Sequence, residues 1–205
     1  MMPTHFKTFC CAIGVAALGL AGCSAPAAIV PEAEFKIEPV AERRLTDLPD
    51  GALFWRVERL DSFPLAEAAA GRTGLVVDAS GEAWLFTLAP AGEATPDAEL
   101  IAEIGPIPIP DAPEYLLRIN RAGGPPGAMT PVHTHAGAEA FLILSGQLSQ
   151  RTAHGTMKLE KGATLPGHDP GMVMQLSSSG DEPLDQFVMF VVDATKPFST
   201  PSSFE

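Results

Sequence analysis

Positive charge is scarce in this sequence of 205 residues, which has 13 Lys and Arg against 25 Asp and Glu and a formal net charge of −12. Nucleic-acid binding needs a clustered positive field to neutralise phosphates, so the composition argues against a nucleic-acid partner. Charged residues make up only 19% of the chain and apolar residues 46%, which excludes an intrinsically disordered protein. The 20 Pro and 19 Gly favour short strands joined by many turns.

Long hydrophobic runs are also lacking, apart from one short run near the N-terminus. Lys7 precedes apolar residues 9–20, and this run is shorter than the ~20 residues that a membrane-spanning helix needs. A cation, an apolar stretch and small residues after it form the layout of a secretory signal. Residues 1–22 are therefore predicted to be a cleaved signal segment.

Cysteine is rare as well: Cys10, Cys11 and Cys23 are the only three, and all lie near the N-terminus. Residues 20–23 read Leu-Ala-Gly-Cys and resemble the bacterial lipoprotein box, which implies lipid attachment at Cys23. The alternative is a plain secretory leader with an incidental cysteine. The lipid-anchored chain would lie in the cell envelope and, as Ser24 implies, on the periplasmic face of an outer membrane if the source has one. A single acylated cysteine allows no intramolecular disulfide, so the domain must depend on its core.

In the rest of the chain, apolar residues alternate with polar ones along several short segments, a pattern typical of β-strands. Residues 23–50, rich in Ala, Pro and Glu, are expected to be a lipidated tether with at most one strand near residues 35–37. Residues 51–205 are predicted to form one all-β domain with its core at 113–195. The predicted strands are 53–60, 75–77, 83–88, 115–121, 139–152, 155–160, 171–177 and 186–193, with a short helix at 65–70 and no central strand at the proline-rich residues 105–110. Short strands with regular turns indicate a sandwich or a barrel.

Two of these strands are apolar on both faces. Residues 140–144 and 187–192 show no alternation with polar residues. Their outer face must therefore be covered, either by the N-terminal strands or by a second protomer, so that a homodimer is one of two expectations.

Two histidines and one glutamate carry the strongest indication of chemistry. His133 and His135 are two positions apart, and residues at this spacing on a strand point to one face. Residues 136–138 allow a turn, after which Glu139 can bring a carboxylate to the same place. Two imidazoles and one carboxylate suit a divalent transition metal ion with open coordination positions, and the pattern does not distinguish Fe, Mn, Zn, Ni and Cu.

This segment resembles the first sequence motif of the cupins, Gly-x5-His-x-His-x3-Glu-x6-Gly. Gly127, His133, His135, Glu139 and Gly146 match every fixed position of that motif. The resemblance implies a jelly-roll β-barrel with the site inside the barrel, which agrees with the all-β class expected from the alternation.

The second cupin motif is degenerate in this chain. Three positions after Gly171, where the family has a third histidine, the sequence has Met174. A thioether is a poor ligand for a hard divalent ion. His168, in a turn flanked by Pro and Gly, and Gln175, next to the expected position, are candidates for a fourth ligand; His168 is alternatively an acid or base at the pocket mouth.

A small-molecule pocket is expected beside the metal ligands. Strand parity places Phe141 and Ile143 on the face of Glu139, and Met174 and Tyr115 are further candidates for its lining. The cupins that cleave dimethylsulfoniopropionate use a Tyr just after the motif Glu, and the presence of Phe141 there argues against that activity.

The two arginines before the motif are interpreted as exposed strand charges rather than as a clamp for a ligand carboxylate. They are Arg118 and Arg121, on the predicted strand 115–121.

Two functions from different classes follow. The first is a metal-dependent enzyme, an oxygenase, isomerase or lyase, acting on a small organic substrate outside the cytoplasm. The second is a non-catalytic cupin of the cell envelope that binds or senses a small molecule in the same pocket. The intact set of three ligands favours the first function, and Met174 favours the second.

Overall fold

The computed structural model of the protein describes Met1, residues 33–92 and residues 94–204. The chain divides into two units, Met1–Pro31 and Glu32–Glu205, and the fold described below is that of the second. The predicted signal segment and the lipidation site at Cys23 lie outside the described residues. Within the described part, no helix is both long enough and apolar enough to cross a membrane.

Strands dominate the described residues. In chain order the elements are β1 (Lys36–Leu45), β2 (Leu53–Leu60), α1 (Phe63–Ala69), β3 (Gly74–Ala79), β4 (Glu82–Pro90), β5 (Glu99–Ile104), β6 (Tyr115–Gly124), β7 (His133–His135), β8 (Gly137–Ser145), β9 (Gln147–Thr152), β10 (Gly155–Glu160), β11 (Thr164–Leu165), β12 (Met174–Ser178), β13 (Leu184–Asp193) and β14 (Ser199–Pro201).

Two five-stranded sheets form the barrel. Their strand orders are β1-β6-β13-β8-β11 and β10-β9-β12-β7-β14, and the paired strands are antiparallel. One apolar cluster joins the two sheets, with Phe141, Val188 and Phe190 from the first and Leu148 and Leu176 from the second. The prediction of an all-β, cupin-like jelly roll is confirmed.

A third, four-stranded sheet covers the outer face of the first barrel sheet. Its order is β3-β4-β2-β5. Phe187, on the outer face of β13, lies 5.1 Å from Trp84 and 5.0 Å from Phe86 between ring centroids, and both partners belong to β4. The N-terminal strands therefore bury the second apolar face of the barrel strands, which was the first of the two expectations. The homodimer stays a prediction.

Several predicted boundaries differ from the structure. The tether expected to reach residue 50 ends much earlier, because β1 pairs with β6 along its whole length. The single strand predicted at 139–152 is two strands, since the backbone turns at Gly146 with a φ of 69°. A Cβ at Gly146 would lie 2.6 Å from the carbonyl oxygen of Pro183, so the turn both needs a positive φ and leaves no space for a side chain.

The other predicted elements match more closely. The strand at 53–60 is confirmed, and so are the hairpin of β3 and β4 and the absence of a strand at 105–110. The helix begins two residues before the predicted start, and β5 was not predicted.

Candidate metal site

His133 and His135 lie on one face of β7, as their spacing predicted. The centroids of the two imidazole rings are 5.0 Å apart, and the ring planes are inclined by 83°. β7 pairs with β12 on one side and with β14 on the other, so its backbone is held from both edges. The two imidazoles are therefore presented from a strand with little freedom to move.

Glu139 reaches the same place from β8. One ligand atom from each of His133, His135 and Glu139 lies within 4.8 Å of the others, which is a spacing that one metal ion can span. The corner between β7 and β8 is fixed because the N–H of Asp193 donates a hydrogen bond of 3.0 Å to the carbonyl oxygen of Ala136. The predicted cluster of two histidines and one glutamate is thus present in the fold.

Close backbone packing holds the start of β8 against β13. Gly137 pairs with Val192, and a Cβ at Gly137 would lie 2.0 Å from the carbonyl oxygen of Val191. Only glycine permits this approach, which sets the depth at which Glu139 enters the barrel.

Backbone carbonyl groups orient both imidazoles. Nδ1 of His133 lies 2.8 Å from the carbonyl oxygen of Pro131, and Nδ1 of His135 lies 2.6 Å from that of Phe198. A carbonyl oxygen only accepts, so each Nδ1 carries the proton and donates it. Each Nε2 keeps its lone pair for a metal ion, and histidine ligands in metal sites are oriented by this kind of outer hydrogen bond.

Burial shifts the pKa of two of the three candidate ligands toward their neutral forms. Burial raises the pKa of Glu139 to about 8, and its Oε2 has no hydrogen-bond partner among the described residues. Burial also lowers the pKa of His135 to about 4, so this imidazole is neutral at pH 7. Its Nε2 lies 3.8 Å from Glu139 Oε2, which is too long for a hydrogen bond. A metal cation at this place would give the Glu139 carboxyl group the partner that it lacks among the described residues.

His168, a candidate for the fourth ligand, is engaged elsewhere. His168 Nε2 lies 2.8 Å from Oε1 of Gln150, whose amide donates in turn to the sulfur of Met174 at 3.7 Å. His168 and Gln150 line a separate surface pocket with His154. His168 is therefore held by a polar chain that ends at the methionine occupying the place of the third cupin histidine.

Gln175, the other candidate for a fourth ligand, binds the loop before β7. Its amide donates a hydrogen bond of 3.0 Å to the carbonyl oxygen of Thr130. Its neighbours Met174 and Leu176 are buried, as alternation along β12 requires. The parity of the strand thus turns the Gln175 side chain away from the barrel interior.

A cavity of about 440 Å³ opens beside the three candidate ligands. Small-molecule sites are commonly ~300–1,000 Å³, so the volume suits a small organic ligand. His133, His135 and Glu139 line it together with the apolar residues Val188 and Phe190. β1 and the segment before it also contribute, through Phe35, Ile37 and Pro39.

The predicted pocket residues do not line this cavity within the described part of the chain. Phe141 and Ile143 share the inward face with Glu139 but pack in the barrel core, as does Met174. Tyr115 packs on the outer cluster, against the four-stranded sheet. The parity argument gave the correct face of β8, but depth along the strand decides which inward residues reach the cavity.

Sequence reasoning missed two polar residues of the cavity wall. Arg118 and Asn120 lie on β6 and line the cavity, so the interpretation of Arg118 as an exposed strand charge is wrong. Arg121 conforms better to that interpretation, because its guanidinium pairs with Asp185 outside the cavity. The alternation along β6 could have predicted this. Leu116 and Ala122 belong to the barrel core, and Arg118 and Asn120 are at alternate positions between them, so they share the same inward face.

Comparisons with known proteins give matches among solved structures only. A scan against protein-family models and a search of the curated proteins find no match. Solved structures similar to this chain include a cupin-like protein from Thermotoga maritima (18% identity, TM-score 0.38, covering 42% of this chain and 64% of that one). A cupin 2 conserved barrel domain protein from Salinispora arenicola is similar at 18% identity with a TM-score of 0.34, over 38% of this chain and 65% of that one.

The solved structures also include an enzyme, a DMSP lyase from Ruegeria pomeroyi. It is similar at 21% identity with a TM-score of 0.37, over 42% of this chain and 43% of that one. The chain thus spans less than two thirds of the length of each of these three proteins.

Proposed function

We propose that this protein is a lipid-anchored cupin of the cell envelope that holds a divalent transition metal ion through His133, His135 and Glu139 and acts on a small organic substrate in the adjoining cavity. The single observation that carries the metal assignment is the buried Glu139 Oε2, which has no partner among the described residues and faces two oriented imidazoles. An unpaired carboxyl group in an apolar barrel is costly, and an ion would remove that cost.

The three ligand residues would contribute different groups to the ion. His133 and His135 offer neutral Nε2 atoms, and Glu139 offers the negative charge once it has released its proton. A bound ion would act as a Lewis acid that polarises an oxygen of the substrate. Val188, Phe190 and Phe35 give the cavity an apolar wall, against which the apolar part of a substrate would displace water.

Three reaction classes remain for an enzyme of this kind: oxygenation, isomerisation and elimination. Two histidines and one carboxylate leave open positions on a metal ion for substrate or dioxygen. Phe141 is packed in the core, at the position where the dimethylsulfoniopropionate-cleaving cupins have a tyrosine, so that reaction is not proposed.

A second candidate function is a non-catalytic binding or sensing cupin in the same location. It is favoured by Met174, which is buried in the core where a third histidine ligand would stand, and by the engagement of His168 with Gln150. A site with three ligands, beside which the described residues place no further carboxylate or imidazole in the cavity wall, can bind a metabolite without turning it over.

Measuring the metal content tests the bound metal ion, which both functions assume. The full-length chain, purified in detergent and loaded separately with Mn, Fe, Co, Ni, Cu and Zn, is expected to retain about one ion per chain. His133→Ala and His135→Ala are expected to lose it, whereas the matched control His168→Ala keeps it. A wild-type chain that retains none of the six ions would refute the metal assignment.

Two further measurements test whether the protein is an enzyme and whether it is lipid-anchored. Dioxygen uptake and product formation with a panel of small acids and phenols separate an enzyme from a binding protein, because a binding protein would show neither with any compound of the panel.

Incorporation of labelled palmitate into the wild-type chain but not into Cys23→Ser tests the lipid anchor. Equal labelling of both chains would contradict it.

A further inference from the structure

We infer that Arg118 is the anchor for a carboxylate group of the ligand, so that the cavity selects small organic acids whose apolar part lies on Val188 and Phe190. This inference rests on the proposed function, because it names the substrate class of the same cavity. It begins from the contrast between two arginines of one strand.

Arg121 is fully paired with a carboxylate of the protein itself. Its Nε and Nη2 donate to the two carboxylate oxygens of Asp185, at 2.9 and 2.7 Å. This is the bidentate arrangement in which the planar guanidinium matches a carboxylate on both sides. Arg121 therefore has no remaining need for a ligand.

Arg118, three residues earlier on β6, is satisfied only in part. Its Nη2 lies 2.5 Å from Oε1 of Glu42, but its Nε is buried and has no partner among the described residues. The guanidinium carbon lies 3.9 Å from the centroid of the Phe198 ring, which fixes the plane of the group without using its N–H donors. One N–H of the Arg118 guanidinium, on Nε, thus has no acceptor among the described residues.

The position of Arg118 in the barrel brings this residue to the wall of the cavity. Arg118 is the only lysine or arginine among the described residues that line it. Asn120 lines the same wall, and its buried Oδ1 also has no partner among these residues. The Asn120 amide thus adds a second polar group to the wall that carries Arg118.

The register of the first sheet places the apolar part of the ligand between the two polar ends. Phe190 pairs with Arg118 on one side and with Glu139 on the other. Neighbouring strands are ~4.8 Å apart, so the Cα atoms of Arg118 and Glu139 are separated by roughly 10 Å across Phe190. A ligand with its carboxylate on Arg118 would lay its apolar body across Phe190 and direct its other end toward the three metal ligands.

Charge distribution supports an acid rather than a neutral ligand. The side chain of Arg118 is 18% exposed, whereas its partner Glu42 is 44% exposed and lies nearer to water. A ligand carboxylate in the cavity can accept from the Arg118 guanidinium while the pair with Glu42 stays intact. A neutral amide of the same shape offers one carbonyl acceptor and no charge, so it would gain less from this wall.

Binding of matched acid and amide probes tests the inference on the full-length chain in detergent, both loaded with Zn²⁺ and stripped of metal. Benzoate and hexanoate are the acids, and benzamide and hexanamide are their neutral counterparts. Calorimetric titration is expected to show at least about tenfold tighter binding of each acid than of its amide, the size of effect that a charged hydrogen-bond partner gives. Equal binding of acid and amide, or no binding of either acid, would overturn the inference.

Variants assign the effect to the correct arginine. Arg118→Met is expected to bind the acids about tenfold more weakly or worse while its metal content stays unchanged. The matched control Arg121→Met, on the same strand but outside the cavity, is expected to keep wild-type affinity for the acids. Unchanged acid binding in an Arg118→Met chain that melts as the wild type does would refute the role of Arg118.

The two proposals fail separately in this design. A chain that binds no metal but still prefers acids through Arg118 would contradict the metal assignment alone. A chain that binds one ion but shows no preference for acids would contradict the inference about Arg118 alone.

Discussion

The backbone carbonyl oxygen of Phe198 lies 2.6 Å from Nδ1 of His135, although the two residues are 63 positions apart in the sequence. The contact is made possible by β14, whose residues Ser199 and Pro201 pair with His135 and His133. The Phe198 ring also packs 4.8 Å from the imidazole between centroids. The C-terminal segment therefore orients one of the three candidate metal ligands, and it forms part of the cavity wall.

Removal of this segment is expected to weaken metal binding. A chain truncated after Pro197 loses the carbonyl group that fixes the tautomer of His135, and loss of such an outer contact commonly costs about 10–100-fold in metal affinity. A chain truncated after Ser202 keeps β14 and serves as the matched control. Competition with a chelator measures both affinities, and equal values for the two chains would contradict the role of the C-terminal segment.

The stability of the metal-free protein is expected to fall between pH 6.5 and pH 8. Glu139 has an ordinary pKa of 4.5 when unfolded and a pKa of about 8 in the fold, because burial disfavours its charge. In this range the unfolded chain has released a proton that the folded chain still binds, so rising pH favours unfolding. His135 has the opposite effect, but only below its unfolded pKa of ~6.5.

Glu139→Gln separates this effect from other titrating groups. The amide cannot ionise, so the metal-free variant is expected to lose the decline in stability between pH 6.5 and pH 8 that the wild type shows. Urea unfolding in the presence of a chelator measures the free energy of unfolding at each pH. A decline of equal steepness in the variant would mean that another group causes it.

Metal affinity is expected to depend on pH in the reverse direction. Binding requires the carboxylate form of Glu139, so the ion displaces one proton below a pH of about 8. The apparent association constant should rise about tenfold per pH unit up to that point and then level off, since one bound proton is released. Titration in non-coordinating buffers measures the slope, and an affinity independent of pH between 6.5 and 8 would contradict the raised pKa of Glu139.

Phe187 is expected to be essential for stability although it lies on the outer face of the barrel. It is fully buried against Trp84 and Phe86 of the four-stranded sheet. Phe187→Ala should therefore cost about 3–5 kcal/mol in the free energy of unfolding, as for other buried aromatic residues. Leu100→Ala, at a leucine that is 46% exposed on β5, is the control and should change stability by no more than about 0.5 kcal/mol. Similar losses in both variants would contradict this packing.

Local patterns in the sequence accounted for the strand elements and for the ligand cluster. The alternation of apolar residues predicted β2, β4 and β10 closely, because side-chain parity on a strand is a local property. The spacing of His133, His135 and Glu139 placed three ligands on two short strands around one corner, and the structure brings them together. The leader and Cys23 were interpreted from their sequence alone, and they lie outside the described residues.

Long-range pairing decided what local patterns could not. The strand expected near residues 35–37 extends to Leu45 as β1, because β6 pairs with it along its whole length, and this pairing partner is remote in the sequence. Phe141 and Ile143 were placed on the correct face but at the wrong depth, since depth depends on how two sheets meet across the barrel. The sequence of one strand shows which side chains share a face. How deep each of them lies in the barrel depends on the positions of several strands.

The sequence by itself determined the all-β class, the strand parity and the identity of the three candidate metal ligands, because each follows from residue type and spacing over a few positions. Only the tertiary structure decided that Phe198 orients His135, that Arg118 faces the cavity while Arg121 does not, and that the chain's own N-terminal sheet covers the barrel. These relationships join residues far apart in the chain, and they exist only when the burial of apolar surface brings distant strands together.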